Sequence, residues 1–174
     1  MNKTLRLFFA LWPNGGVRQQ LDKIAAEYRP EKSRAIPVAN LHATLIFLGQ
    51  QPQESLTAII DAAAYVHGQP FSIALQQLQV WRRPQVLCLC PEQIPDELIA
   101  VHRELRQALL DIGVSMDDRS YRPHVTLARK VRRSIRPDGL PSPMYWSVNG
   151  FSLIESVSLE HGVQYRELAS WSFD

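Results

Sequence analysis

Several features are scarce in this chain of 174 residues, and each scarcity excludes a class of protein. No apolar run approaches the roughly 20 residues that a helix needs to span a bilayer. The two cysteines stand two positions apart in one apolar run, a spacing that rarely meets disulfide geometry, so a disulfide framework is excluded. The net charge is only +2 at pH 7, which excludes a strongly basic, histone-like binder of polyanions.

Other absences exclude further kinds of site and of protein. Cys88 and Cys90 have no further cysteine or histidine at zinc-site spacing, so we interpret them as buried, reduced thiols of a cytoplasmic protein. The sequence also lacks the His-Asp dyad and clustered carboxylates of metal-dependent phosphohydrolases. The apolar run at residues 7–12 is short and has no small-residue cleavage site, so we expect a first strand there, not a signal peptide.

What remains is the composition of a globular domain, with 45% hydrophobic and 21% charged residues. The length fits a single domain over residues 1–174. Hydrophobic periodicity predicts strands and helices in mixed order, which favours an α+β fold with antiparallel sheets. The predicted helices span 17–28, 54–67 and 96–111, and the predicted strands span 6–12, 41–49, 71–80, 85–90, 124–131, 145–159 (broken near Glu155) and 163–173.

The most informative feature is a tetrapeptide, His-x-Thr-Leu, that occurs at residues 42–45 and again at 124–127. The chain has only five histidines and four threonines, so a coincidental pair of copies is very improbable. Both copies lie in predicted strands, where residues i and i+2 project from one face. Each copy therefore presents an imidazole beside a hydroxyl. The separation, close to half the chain, predicts two similar lobes around a pseudo-twofold axis.

Two such pairs facing one groove would supply the groups that phosphate chemistry needs. Histidine serves as general acid or general base near neutral pH. His42 and His124 would need opposite protonation states, and the residues alone leave open which is the acid. Hydroxyls from Thr44 and Thr126 would contact phosphate oxygens.

Five basic residues follow the second motif. They form either a solvated basic loop or a rim that steers phosphate groups. Arg129 has the strand parity opposite to that of His124, so only a bulge or the end of the strand would aim it at a phosphate. The cluster comprises Arg129, Lys130, Arg132, Arg133 and Arg136.

These motifs and their flanks resemble the 2H phosphoesterase superfamily, and within it the bacterial RNA 2′,3′-cyclic phosphodiesterases, also called 2′-5′ RNA ligases. The resemblance is carried by RLFFA at residues 6–10, LHATLIFLG at 41–49 and YRPHVTLAR at 121–129. It implies two lobes with antiparallel sheets, flanked by helices, around a central catalytic groove. It also implies hydrolysis of 2′,3′-cyclic phosphates on RNA ends or nucleotides to 2′-phosphates, with no metal and no cofactor.

The resemblance assigns roles to individual residues. His42 is expected to donate a proton to the leaving 3′ oxygen, and His124 to accept one from water. Thr44, Thr126 and Arg129 are expected to bind the phosphate. We expect a monomer whose partners are RNA ends or cyclic nucleotides.

Other assignments are weaker, and two alternative functions remain open. Phe8, Trp81 and Tyr121 are candidates for stacking on a nucleobase, although each is explained equally well as a core residue. The main activity could instead be 2′-5′ RNA ligation or 2′-5′ phosphodiester cleavage in the same site. A non-catalytic nucleotide-binding module is the alternative from a different class.

Overall fold

The computed structural model describes residues 3–117, 120–132 and 139–174. Within these ranges the chain forms an α+β fold, as predicted. The elements are β1 (Thr4–Leu11), α1 (Gly15–Tyr28), β2 (Arg34–Ala35), β3 (Ala43–Pro52), α2 (Leu56–Ala63), β4 (Phe71–Trp81), β5 (Val86–Pro91), α3 (Asp96–Asp111), β6 (Val125–Arg129), β7 (Met144–Val148), β8 (Gly150–Leu159) and β9 (Gly162–Ser172).

The described strands form a single antiparallel sheet in the order β7-β4-β5-β6-β3-β1-β8-β9, with β2 paired to β6. Its centre lies between β6 and β3, and each half contributes four strands to the main path. One half contains β1-α1-β3 and the other contains β5-α3-β6, so the chain repeats one strand-helix-strand unit. The predicted pseudo-twofold relation is therefore confirmed. The two lobes share one continuous sheet, in which β3 and β6 pair at a single position.

The two faces of the sheet differ in their covering. One face carries the main core, against which the buried sides of α1 and α3 pack through Leu21 and Leu105. The opposite face, called here the groove face, holds two smaller apolar clusters. The first comprises Phe8, Ala10 and Ile154 with Trp12 and Tyr165, and the second comprises Val86, Cys88 and Cys90 with Trp81. The clusters lie on strands that flank the central pair, one in each half.

Helix α1 begins where the sequence provides a cap. The side chain of Asn14 accepts a hydrogen bond of 3.0 Å from the backbone N–H of Val17, which satisfies one of the free donors of the first turn. Leu21 and Ala25 turn inward at helical spacing, and the helix ends before Pro30. This cap fixes the first turns of α1, which carry Arg18, next to the end of β1.

Each strand that contains a motif has a bulge at the same position. In the pairing of β1 with β3, Phe9 lies opposite Ile46 and Ala10 lies opposite Thr44, so Leu45 is the extra residue. In the pairing of β5 with β6, Leu127 is the extra residue, because the partners of Leu87 and Cys88 are Ala128 and Thr126. The leucine of each His-x-Thr-Leu motif is thus the bulged residue. A bulge changes which face the following residues occupy.

The predicted break within residues 145–159 was misplaced. The segment predicted as a strand over 145–159 is divided at Asn149, not near Glu155, because β7 pairs with β4 whereas β8 pairs with β1. The chain crosses between these strands at Gly150, where an added Cβ would lie 2.2 Å from the carbonyl oxygen of Trp171. Glu155 continues within β8 and bonds to Arg166 of β9.

Smaller differences occur elsewhere. Helix α2 is shorter than predicted, because a 3-10 turn precedes it and the chain turns before Gly68. Gly68 lies against Phe173 and Val101, where a Cβ would come within 3 Å of both side chains. Residues 34–35, where no strand was predicted, form the short strand β2.

Candidate active site

The two motifs meet at the centre of the sheet. Ala43 of β3 pairs with Val125 of β6 in antiparallel register, and both side chains are buried in the main core. The histidine and threonine of each motif therefore occupy the groove face. With this register each histidine lies across from the threonine of the other motif. The structure thus brings His42, Thr44, His124 and Thr126 together, and all four are half-buried.

Both imidazoles are held in the same way. Nδ1 of His42 lies 2.7 Å from the carbonyl oxygen of Asn40, and Nδ1 of His124 lies 2.7 Å from the carbonyl oxygen of Arg122. A carbonyl oxygen only accepts, so Nδ1 donates in each ring. The neutral rings therefore keep Nε2 as the basic nitrogen. Both histidines present Nε2 for proton transfer.

The two threonines differ in their contacts. The hydroxyl of Thr44 lies 3.0 Å from Nε2 of His42, so in the neutral ring it donates to that nitrogen. The hydroxyl of Thr126 lies 4.0 Å from Sγ of Cys88, a weak contact. The Thr44 hydroxyl therefore becomes available to a phosphate oxygen once a ligand or a proton changes the partner of Nε2 of His42, and the weak contact with Cys88 leaves the Thr126 hydroxyl available as well.

The surroundings lower the pKa of both histidines. Burial lowers the pKa of His42 from 6.5 to about 4, and the bond to Asn40 opposes part of this change. Positive charge on His124, Arg129 and Arg18 lowers it further. Burial also lowers the pKa of His124. Both rings are therefore neutral at pH 7 without a ligand, and a bound phosphate anion would raise both pKa values.

Aromatic rings support each imidazole. The centroid of the Phe8 ring lies 4.9 Å from that of His42, and the edge-on ring of Tyr165 lies 5.2 Å away. On the other side, the Trp81 ring lies 4.4 Å from that of His124. These contacts fix the planes of the two imidazoles.

The structure does not support the base-stacking roles considered for Phe8 and Tyr121. Phe8 is only 3% exposed and packs beneath His42, so it offers no free face to a nucleobase. Tyr121 packs against the main core and stacks on His102 of α3, with ring centroids 4.0 Å apart. Trp81, by contrast, is half-buried on the groove face beside His124.

Arg129 does occupy the groove face, and the bulge is the reason. Leu127 and Ala128 both turn into the main core, so the alternation of faces shifts by one residue. Arg129 is paired with Val86, a member of the second groove-face cluster, and its charge lowers the pKa of His42. In the other half the equivalent position is Phe47, which is paired with Phe8.

The described basic residues that follow the second motif lie on the surface. Arg129, Lys130 and Arg132 are exposed, whereas Arg133 and Arg136 lie outside the described residues. On the strand next to β6, Arg34 pairs with Arg129 and is also exposed. Two facing arginines repel each other unless an anion lies between or beside them.

Sequence reasoning did not identify several residues that contribute to the candidate site. Asn40 and Arg122 act through backbone carbonyls, which leave no signal in side-chain chemistry. Tyr165 reaches His42 from β9 and has no motif around it. Trp12 is the last residue of the strand predicted over 6–12, but only the folded chain brings its ring within 6.0 Å of the His42 ring.

Comparison with known proteins decides the family. Residues 13–155 match the 2'-5' RNA ligase superfamily, a range that contains both motifs. The chain belongs to this superfamily. The RNA 2',3'-cyclic phosphodiesterase of Escherichia coli K12 is 30% identical over 176 residues, which cover 99% of this chain and 98% of that protein. The protein of the same description from Thermus thermophilus is 27% identical over 183 residues, 97% of this chain and 90% of its relative.

Two solved structures have the same fold. E. coli LigT complexed with 3'-AMP superposes with a TM-score of 0.88 and 28% identity, covering 98% of this chain and 99% of LigT. TT0787 of T. thermophilus superposes with a TM-score of 0.85 and 25% identity, covering 97% and 98% of the two chains. The recognition from the two motifs and their flanks is thereby confirmed.

Two features are absent from the residues that the structure describes. No three His, Cys, Asp or Glu side chains among them are grouped so that they could hold a metal ion. None of the helices in the same residues is long and apolar enough to cross a membrane.

Proposed function

We propose that this protein hydrolyses 2′,3′-cyclic phosphates, on RNA ends or on nucleotides, to 2′-phosphates. One observation carries the proposal: the Ala43–Val125 pair places two histidines, each with Nε2 available, on one face. A cyclic phosphodiester needs one group that removes a proton from water and one that supplies a proton to the leaving oxygen. The names of the E. coli and T. thermophilus relatives support the same activity.

In the proposed mechanism His124 is the base and His42 is the acid. The water oxygen forms a bond to phosphorus while the bond from phosphorus to the 3′ oxygen breaks. One proton passes from water to Nε2 of His124, and another passes from Nε2 of His42 to the 3′ oxygen. The assignment of the two roles follows the family resemblance, and the reverse reaction exchanges them.

Phosphate charge is held by three further side chains. Thr44 and Thr126 donate their hydroxyls to the non-bridging oxygens. Arg129, placed on the groove face by the bulge at Leu127, supplies the positive charge. Charged donors form the stronger bonds to phosphate, so Arg129 is expected to contribute more than either threonine.

The activity can be tested by phosphorus NMR of a 2′,3′-cyclic nucleotide incubated with the protein in excess EDTA. The expected product is the 2′-phosphate, formed at an undiminished rate, because no step requires a metal. A requirement for added metal would contradict the mechanism, and a 3′-phosphate product would contradict the assigned leaving oxygen.

A second candidate, 2′-5′ RNA ligation or its reversal, uses the same groups and is favoured by the superfamily match. RNA fragments with defined ends separate the two activities, because ligation lengthens the chain and hydrolysis does not. A non-catalytic binding module would bind the cyclic nucleotide without turnover, but binding alone does not require two histidines.

We also propose that the protein acts as a monomer in the cytoplasm. Cys88 and Cys90 are free and buried, and burial raises their pKa to about 12 and about 11, which suits a reducing compartment. Light scattering of the purified protein tests the monomer, and fractionation of cells tests the location.

A further inference from the structure

Arg18 lies close to the catalytic pair but has no role in the mechanism above. It belongs to the first turns of α1, and its guanidinium carbon lies 4.6 Å from the centre of the Trp12 ring. The Trp12 ring in turn lies 6.0 Å from that of His42. Arg18 therefore contacts Trp12, and Trp12 in turn contacts His42, the proposed acid. This chain of contacts lies at the end of the groove face that β1 forms.

The guanidinium of Arg18 is incompletely bonded. Two of its nitrogens, Nε and Nη2, are buried and have no hydrogen-bond partner among the described residues. Glu167 is close enough for its charge to raise the pKa of Arg18, yet neither of these nitrogens bonds to it. A buried donor that lacks a partner is costly and is rare in native structures. The planar fork of N–H donors fits an acceptor-rich anion that can take two parallel hydrogen bonds, such as a phosphate.

The other half of the groove face contains a similar stacked arginine, but its donors are not buried. There Trp81 lies against His124, and the guanidinium of Arg122 lies 4.6 Å from the Trp81 ring. Arg122 is exposed, so water satisfies its donors. Only Arg18, of these two stacked arginines, keeps buried donors without a partner.

The proposed mechanism indicates which part of a substrate lies near Arg18. His42 protonates the 3′ oxygen, which remains on the terminal ribose. The terminal ribose therefore lies on the His42 side of the reacting phosphorus. The next phosphate of an RNA strand is attached to the 5′ oxygen of that same ribose, so it extends further along the same side.

We propose that Arg18, held over Trp12, binds the phosphate on the 5′ side of the terminal nucleotide. This inference rests on the proposed function and names its preferred substrate class. The enzyme then acts on RNA ends and on 5′-phosphorylated cyclic nucleotides in preference to cyclic nucleotides that lack a 5′ phosphate. The charge of Glu167 opposes this binding.

The test uses two substrates that differ by one group: adenosine 2′,3′-cyclic phosphate and its 5′-phosphorylated form. The wild-type protein is expected to show a kcat/KM about tenfold or more higher for the 5′-phosphorylated form, the size of one good charged contact. In Arg18→Gln this ratio should fall towards one. Glu167→Gln should increase the ratio. The control is Lys23→Gln, an exposed cation further along α1, which should leave the ratio at its wild-type value.

The ratio separates phosphate binding from an indirect effect. Arg18→Gln also removes a charge that lowers the pKa of His42, but that effect acts on both substrates equally. Equal losses on the two substrates would therefore overturn the proposal in favour of an action through His42. A wild-type ratio near one, or a ratio that Arg18→Gln leaves intact, would also overturn it. Failure of the wild-type protein to turn over either substrate would instead overturn the proposed function.

Discussion

Ala43 lies directly opposite Val125, so the middle residue of one motif faces the middle residue of the other. No other described pair joins β3 to β6 in the sheet. Both side chains point into the main core, which obliges the flanking histidines and threonines to face the groove. The candidate active site is thus a consequence of how the two halves of the sheet are joined.

The first prediction concerns the histidines. His42→Ala and His124→Ala should each lower kcat by about 10²–10⁴-fold, because each removes a proton-transfer group. The double variant should lose far less than the product of the two single losses, since the residues act as a unit. Turnover of a 2′,3′-cyclic nucleotide measures the loss, and circular dichroism checks the fold. Near-wild-type turnover in either folded single variant would exclude the mechanism.

The second prediction concerns pH. Turnover needs one protonated and one neutral imidazole, and both pKa values are lowered in the free protein, that of His42 to about 4. The bell-shaped profile of kcat/KM should therefore have its optimum below pH 6.5. The profile of kcat should lie at higher pH, because the bound phosphate anion raises both pKa values.

Arg129→Gln tests whether the charge of Arg129 helps to lower the pKa of His42. Removing its charge raises the pKa of His42 in the free protein, so the kcat/KM profile should move to higher pH. Rates between pH 4 and 9 on wild type and variant measure the displacement. A shift to lower pH, or an unchanged profile, would contradict the assigned electrostatics.

The third prediction tests the placement of Arg129. Arg129→Ala should lower kcat by about 10²–10³-fold, as expected for removing one charged donor from a transition-state oxygen. Arg132→Ala, an exposed cation three residues further on, should change kcat less than about twofold. Both variants should melt at the wild-type temperature. Similar small effects at the two positions would indicate a diffuse basic rim.

The fourth prediction concerns Asn40, whose side-chain amide donates a 2.8 Å hydrogen bond to the carbonyl oxygen of Val163 in β9. This bond holds the backbone whose own carbonyl orients His42. Asn40→Ala should lower kcat more than it raises KM, and should destabilise the fold by about 1–3 kcal/mol by leaving the Val163 carbonyl unpaired.

A matched comparison for Asn40 is Asn149→Ala, at the exposed junction of β7 and β8. It should leave kcat unchanged. Steady-state kinetics and urea unfolding report the two effects separately. A loss of stability in Asn40→Ala without any loss of kcat would show that the bond is structural only.

The sequence predicted much of this arrangement because the relevant signals are local. Helix α3 begins and ends at the predicted residues, with Pro95 before it and Gly113 just after it. Strand parity correctly placed each histidine beside its threonine. Residues that act through backbone carbonyls, such as Asn40, and residues from distant strands, such as Tyr165, could not be found this way, since the fold alone brings them to His42.

The bulges were equally inaccessible to sequence reasoning. The regular alternation of side chains along β6 predicts that Arg129 points away from the groove. The extra residue at Leu127 shifts this alternation by one, so Arg129 lies on the groove face. Bulges depend on pairing with a neighbouring strand, so neither the local composition nor the hydrophobic alternation reveals them. The break at Asn149 has the same origin, because it reflects which strands β7 and β8 pair with.

The matching bulges at Leu45 and Leu127 give the two halves the same backbone but not the same side chains. The residue two positions beyond the bulge is Phe47 in one half and Arg129 in the other, and Arg6 lies over the Phe47 ring at 5.0 Å. In one half the cation is carried by the motif strand β6 itself, whereas in the other half it is carried by the neighbouring strand β1. The two halves of the groove therefore present their positive charge from different strands, although their backbones match.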